Sequence, residues 1–217
     1  LNWEIKLVEK ALKFKKLDWS DSLFSKGIPH SELFGKSIGI IGYGRIGKEI
    51  AKRLKPFNTK TYAFTRVEKK KDSLLYKSMK VDFLNKYIND LDFVILCCPL
   101  TNSTKGLINK NNLKLMKNTA VVVNIARGDV INEKDFYYAL KTKIIGGGII
   151  DTWYRYPLNK EKKRFNPSKY NYHKLENIVM TPHISAWSKN MIIRRANIIL
   201  KNVENLYKNK GLKNLVV

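Results

Sequence analysis

The sequence predicts an α/β domain built on a doubly wound parallel sheet. Three observations carry that prediction. Short apolar runs rich in β-branched residues recur along the chain, helical patterns separate them, and a glycine cluster joins the first run to the first helix. Short buried strands that alternate with helices imply a parallel sheet covered on both faces. The strand candidates are 37–41, 60–65, 93–98, 120–124, 144–150 and 178–181. The helical patterns between them are 46–55, 83–89, 111–116 and 133–140. Before the sheet, Trp3, Leu7, Val8, Ala11, Leu12 and Phe14 predict an amphipathic helix within 1–20, and 18–34 reads as a loop around Gly27 and Pro29. A long loop is expected over 151–177. A last helix is expected over 189–208, with Ile192, Ile193, Ala196, Ile199, Leu200, Val203 and Leu206 as its apolar positions.

The glycine cluster is Gly42-Tyr43-Gly44-Arg45-Ile46-Gly47. Strand, glycine turn, helix is the arrangement that holds a dinucleotide pyrophosphate. The first glycine permits a sharp turn, and the second lets the backbone approach the phosphates. The third packs the helix close to the strand, so that its first N–H groups point at the anion.

Composition narrows the function classes. The length of 217 residues fits one medium domain with appendages, and the 44% apolar share is enough for a substantial core. There is no run of about 18 apolar residues, so a membrane span is not expected. Cys97 and Cys98 are adjacent, which suits neither a disulfide pair nor a metal site, and a reducing cytoplasm fits them. The net charge is +24. The excess is lysine scattered along the whole chain, with denser runs at Lys69–Lys71 and 160–164 that read as solvated loops. Aromatics do not interleave with these runs, so nucleic acid is not the expected partner.

Four segments together resemble the NAD(P)-dependent D-isomer-specific 2-hydroxyacid dehydrogenases. They are the glycine cluster; Cys98-Pro99-Leu100-Thr101 with Thr104-Lys105-Gly106-Leu107-Ile108; Val123-Asn124-Ile125-Ala126-Arg127-Gly128-Asp129-Val130-Ile131; and Thr181-Pro182-His183-Ile184-Ser185. The resemblance implies a Rossmann fold with flanking hinge helices. It divides the chain into a hinge helix and linker (1–25), an NAD(P)-binding domain (26–185) and a C-terminal linking helix (186–217). It further implies that the N-terminal substrate domain is largely missing here.

The resemblance also assigns roles. Arg127, just past a strand, would grip a carboxylate and polarise a keto oxygen with a forked geometry that lysine cannot copy. His183 would exchange the proton that accompanies hydride transfer. Asp151 would bind the nicotinamide carboxamide. Gly42, Tyr43, Gly44, Arg45, Ile46, Gly47, Thr65, Arg66, Cys98, Pro99, Thr104, Ile125, Ala126, Arg127, Asp151 and His183 would contact the cofactor. The sequence departs from the family at Tyr156, five residues after Asp151, where relatives usually place a glutamate beside the histidine. A tyrosine there can hydrogen-bond but is uncharged near neutral pH. The formate dehydrogenases of this family place an uncharged glutamine at this position, so loss of the carboxylate does not by itself mean loss of hydride transfer.

The expected activity is hydride transfer between NAD(P)H and a small 2-oxo or 2-hydroxy acid. The alternative is a catalytically impaired, nucleotide-sensing regulatory or corepressor-like protein. NADP(H) is expected in preference to NAD(H). The second strand ends in Thr65-Arg66 with no carboxylate at the usual ribose position, although Glu68 lies close by in sequence. A homodimer is expected through the cofactor domain, on the surface around Ala186-Trp187 and the 111–140 segment.

Overall fold

The structure is a computed structural model that describes residues 15–17, 31–68, 72–158 and 165–214. The helix expected within 1–20 lies almost wholly outside the described residues, and Lys69–Lys71 and the 160–164 run lie wholly outside them. The chain divides into two compact units, one ending at Pro182 and one beginning at His183.

The first unit carries a seven-stranded sheet in which every pairing is parallel. Its elements in chain order are β1 (Ser37–Ile41), α1 (Arg45–Leu54), β2 (Lys60–Thr65), β3 (Lys77–Lys80), α2 (Leu84–Tyr87), β4 (Phe93–Leu96), α3 (Lys110–Leu113), β5 (Val121–Asn124), α4 (Glu133–Lys141), β6 (Gly147–Ile150) and β7 (Ile178–Met180). The spatial order is β3-β2-β1-β4-β5-β6-β7. The order reverses between β1 and β4, so a crevice opens there beyond the carboxyl ends of the strands.

The strands are short because their apolar runs are short. Ile38, Ile40 and Ile41 are all buried, as a strand covered on both faces requires. The two faces feed two cores. Ala51 and Leu54 of α1 pack in one core with Ile38, Ile40 and Ala63 of β1 and β2. Ile41, Phe64, Leu96, Val122, Ile131 and Phe136 belong to the larger core on the other side. Each such buried side chain contributes about 1.5–3 kcal/mol. Asp92 ties the strand starts together. Its carboxylate accepts from Ser37 N–H and from Lys117 Nζ, both at 2.8 Å, while its backbone bonds Ser37 O and Val121 N–H. Burial alone would raise the Asp92 carboxyl. The Lys117 and Ser37 hydrogen bonds, with the charges of Lys117 and Lys36, outweigh that and hold it below the usual aspartate range.

α4 shows why the helices start where they do. Asn132 caps it by accepting Asp135 N–H at 3.1 Å; Glu133 and Asp135 sit in the first turn and Lys141 in the last. Its buried face is Phe136, Ala139 and Leu140. β3 was not among the expected strands. Its sequence is Lys-Ser-Met-Lys, only Met79 is buried, and it lies at the sheet edge, where one apolar residue suffices.

The second unit contains α5 (Met191–Tyr207), followed by a tail folded back on it. Asn202 pairs with the backbone of Lys213 in both directions, at 2.8 and 2.9 Å, and Asn205 donates to Gly211 O at 2.9 Å. No residue of α5 is buried.

Candidate active site

The glycine loop follows β1 directly. Gly42 has φ +96°, and a Cβ there would lie 2.6 Å from the backbone of Cys98. No other residue fits that turn. Gly47 is equally constrained, since its Cβ would meet Gly42 O at 2.5 Å. The contact lets α1 press against β1. Gly44 is different. It is exposed, and a Cβ there would meet nothing within 4 Å. The space beside it is therefore open to a ligand. Gly44 caps α1 without a side-chain hydrogen bond, and the first turn holds no acidic residue. That leaves the N–H groups and the positive end of the helix available to an anion. A turn that demands glycine, a helix end without a protein anion and open space between them fit a dinucleotide's pyrophosphate.

The remaining sequence-predicted residues divide by exposure. Arg45 and Ile46 are exposed in the first turn of α1. Tyr43 is buried in the smaller core, with its hydroxyl donating to Asp72 Oδ2 at 3.0 Å. Only its backbone faces the loop's ligand side. Thr65 is buried at the end of β2 and donates its hydroxyl proton to Val67 O at 2.6 Å; Arg66 beside it is exposed. After β4, Cys98 is buried and Pro99 exposed, and Thr104 Oγ1 donates to Pro99 O at 2.7 Å to close that loop. Cys97 packs on the glycine loop from behind, its Sγ donating to Gly42 O at 2.9 Å. Burial and the neighbouring Cys98 push the Cys97 thiol up to about 12, so it stays protonated as a donor.

Arg127 follows β5. Its side chain is exposed and donates to Ala126 O at 2.6 Å. Ala126 is buried and Ile125 half-buried. The turn is held by a residue that sequence reading placed in the motif but gave no role. Asn124 is 1% exposed, donates to Arg127 O at 2.9 Å and accepts from Ala126 N–H at 3.0 Å. Its amide thus fixes both sides of the peptide that presents the guanidinium. Asp151, after β6, is buried and accepts from Thr181 Oγ1 at 2.6 Å. Thr181 N–H donates to Ile150 O and its carbonyl accepts from Trp153 Nε1, both at 2.9 Å. Thr181 is a second positioning residue without a sequence signal of its own.

Tyr156 lines an open cavity of about 340 Å³ bounded by Trp153, Phe165, Met180 and Pro182. Its hydroxyl accepts from Trp153 N–H at 3.1 Å. The loop that bears it is pinned to the start of α4. Ser168 Oγ and Lys169 N–H both donate to Glu133 Oε1 at 2.7 Å, and Tyr172 OH donates to Glu133 O at 2.7 Å. His183 opens the second unit, exposed and with φ +58°. The first unit thus brings the glycine loop, Arg66, Pro99, Arg127 and Asp151 to the carboxyl ends of one parallel sheet.

The family's description, D-isomer specific 2-hydroxyacid dehydrogenase, NAD binding domain, matches residues 3–185. The chain belongs to this family. It is 38% identical over 174 residues to a glyoxylate reductase of Pyrococcus horikoshii, covering 79% of this chain and 48% of that protein. The chain spans about half the length of the curated relatives it matches. Two solved structures share the fold. A family member from Lactobacillus delbrueckii, in its NAD complexed form, has a TM-score of 0.79 at 21% identity, covering 100% of this chain and 65% of its own. A probable 2-hydroxyacid dehydrogenase from Rhizobium etli, in complex with NADP, has a TM-score of 0.75 at 18% identity, covering 100% and 64%. Among the described residues no helix is long and apolar enough to cross a membrane.

Proposed function

We propose that this chain is the cofactor-binding part of an oxidoreductase that transfers hydride between NADP(H) and a small 2-oxo or 2-hydroxy acid. The observation that carries the reading is the placement of an anion-ready glycine loop at the strand-order reversal, with Arg127 and Asp151 beyond the carboxyl ends of β5 and β6 in the same sheet. The nicotinamide ring, when bound, supplies the hydride. The Gly44 region and the start of α1 hold the pyrophosphate. Asp151, held by Thr181, accepts from the carboxamide. Arg127 orients the substrate carboxylate and polarises its carbonyl, and His183 gives or takes the proton. Relatives named as glyoxylate reductases favour this reading over a regulatory protein. Tyr156 stands where relatives usually carry a charged partner of the histidine, and in this reading it supplies a hydrogen bond without charge.

The preference for NADP(H) rests on Arg66, exposed after β2 with no carboxylate beside it at the strand end. Related folds hold either cofactor. The division into 1–25, 26–185 and 186–217, a cytoplasmic location and a homodimer through the cofactor domain belong to the same proposal. The free thiols of Cys97 and Cys98 and the exposed Leu115, Tyr138 and Trp187 support the last two. Steady-state reduction of glyoxylate and larger 2-oxo acids by the full-length protein, with each cofactor, tests the activity. Arg127→Gln is expected to lower kcat/KM at least about hundredfold. Turnover unaffected by that change would remove Arg127 from the chemistry.

A further inference from the structure

The proposed cofactor contacts leave unused the cavity of about 340 Å³ beyond the carboxyl ends of β6 and β7. Trp153, Tyr156, Phe165, Pro167, Met180 and Pro182 give it a mostly apolar lining. Two contacts set it beside the candidate active site. Gly128, the residue after Arg127, packs so closely on the next loop that a Cβ there would lie 2.5 Å from Trp153 O. Thr181, which also lines the cavity, donates its hydroxyl proton to Asp151 Oδ1 at 2.6 Å, and its carbonyl accepts from Trp153 Nε1 at 2.9 Å. The cavity therefore shares one wall with the turn that presents Arg127 and another with the partner of Asp151. Its outer wall is held as well. Arg155 N–H donates to Pro167 O at 3.0 Å, and Arg155 Nη2 donates to the carbonyls of Asn166 and Ser168. Glu133 in turn fixes Ser168 and Lys169.

We propose that this cavity is the subsite for the substrate's side chain, and that the substrate is a 2-oxo acid whose side chain is bulky and apolar, aromatic or branched. The inference rests on the reading of Arg127 as the substrate anchor and Asp151 as the nicotinamide anchor. A 2-oxo acid carries a carboxylate, a carbonyl oxygen and a side chain around C2. Arg127 takes the carboxylate and polarises the carbonyl, which leaves the side chain to be placed. Hydride reaches one face of C2 efficiently only when all three groups are held. The cavity borders both anchors, and its lining suits an apolar group, which gains by leaving water there. An apolar void of roughly 150 Å³ is enough to take up benzene, so about 340 Å³ admits a benzyl or isobutyl group. Arg155 is the one cation among the described lining residues. Its Nη2 is turned onto backbone carbonyls of the loop, so a second carboxylate on the substrate would enter an apolar space without a dedicated partner.

The test is steady-state reduction of pyruvate, phenylpyruvate and 2-oxoglutarate by the full-length protein, with NADPH and with NADH. Pyruvate and phenylpyruvate present the same ketone and differ by one phenyl ring. The kcat/KM is expected to favour phenylpyruvate at least about hundredfold. Phe165→Ala removes part of the apolar wall and should lower that ratio about tenfold while pyruvate turnover stays unchanged. Phe165→Trp narrows the cavity and should also depress phenylpyruvate alone. Pyruvate turnover in both variants shows that they have folded. Pyruvate reduced as well as phenylpyruvate, or a ratio unmoved in both variants, would overturn the subsite. Preference for 2-oxoglutarate would overturn it too, by giving Arg155 to a second carboxylate. Failure of the underlying reading shows separately. Reduction of pyruvate without preference removes the subsite and leaves the dehydrogenase reading in place, whereas reduction of none of the three acids with either cofactor removes both.

Discussion

The two halves of the site are held by different means. Around β1 the geometry is fixed by missing side chains: a Cβ at Gly42 or Gly47 would lie 2.6 or 2.5 Å from backbone atoms of Cys98 or Gly42, closer than any Cβ tolerates. Around β5 and β6 it is fixed by side chains that are present: Asn124 grips the Arg127 turn, Thr181 grips Asp151, and Glu133 pins the loop bearing Tyr156. The first half tolerates almost no substitution at Gly42 and Gly47, while Gly44 has room for a side chain. The second half depends on pairs, so its failure should be graded.

The largest effect is expected at Gly42. Gly42→Ala places a methyl against the Cys98 backbone at φ +96°. The strain and overpacking together should cost at least about 3 kcal/mol. Urea denaturation showing less than about 1 kcal/mol would mean that the loop relaxes, and that glycine there is a convenience. Next comes Asn124→Ala. It leaves Arg127 O and Ala126 N–H without their partner at a buried position, which should cost about 2–4 kcal/mol. A loss confined to the stability of the β5 turn, with the glycine loop intact, is what separates the halves. Hydrogen exchange resolved by segment reads it directly.

A smaller effect depends on pH. Asp92 has a folded-state pKa held below the ordinary aspartate value, so its stabilisation is present above that ordinary value and lost as pH falls through the folded-state one. Asp92→Asn should therefore be less stable than wild type at neutral pH, and the gap should close in acid. A gap that stays constant from pH 7 to about 3 would show that Asp92 matters only as a shape. The smallest effect is at Thr152. Its hydroxyl is buried beside Asp151 and has no hydrogen-bond partner. Thr152→Val removes that unsatisfied group at nearly equal volume and should leave stability unchanged or raise it by about 1 kcal/mol. Clear destabilisation would show that the hydroxyl has a bound partner, such as a buried water.

The same contrast explains what the sequence made legible. Strands β1 and β2 fall on the expected residues because an apolar run between turn residues marks both ends. β4 and β7 end two residues and one residue earlier than expected, and β5 and β6 start one residue and three residues later, because buried loop residues such as Cys98, Ala120 and Ile145 continue the apolar pattern beyond the ladder. β3 was illegible: one buried methionine between lysines carries no period. The glycine loop was legible because sterics leave one residue type at Gly42. Thr181 and Glu133 were not, because hydrogen bonds between residues 30 to 39 apart leave no local pattern. Asn124 bonds only its near neighbours Ala126 and Arg127, and an asparagine at a strand end reads equally as an ordinary turn residue. The apolar rhythm of α5 was legible as a helix, yet it says nothing of what covers it, and Ile199, Leu200 and Val203 are about three-fifths exposed.

The central claim is that Gly44 borders the pyrophosphate. Gly44→Asp tests it most directly. A side chain there meets nothing within 4 Å, and an aspartate at the cap of α1 should hold or slightly raise folding stability. The same carboxylate would occupy the anion's place and repel it. Calorimetry on wild type and variant should show NADPH affinity reduced more than about tenfold, with the melting temperature unchanged or higher. NADPH binding equal to wild type in a folded Gly44→Asp protein would contradict the account.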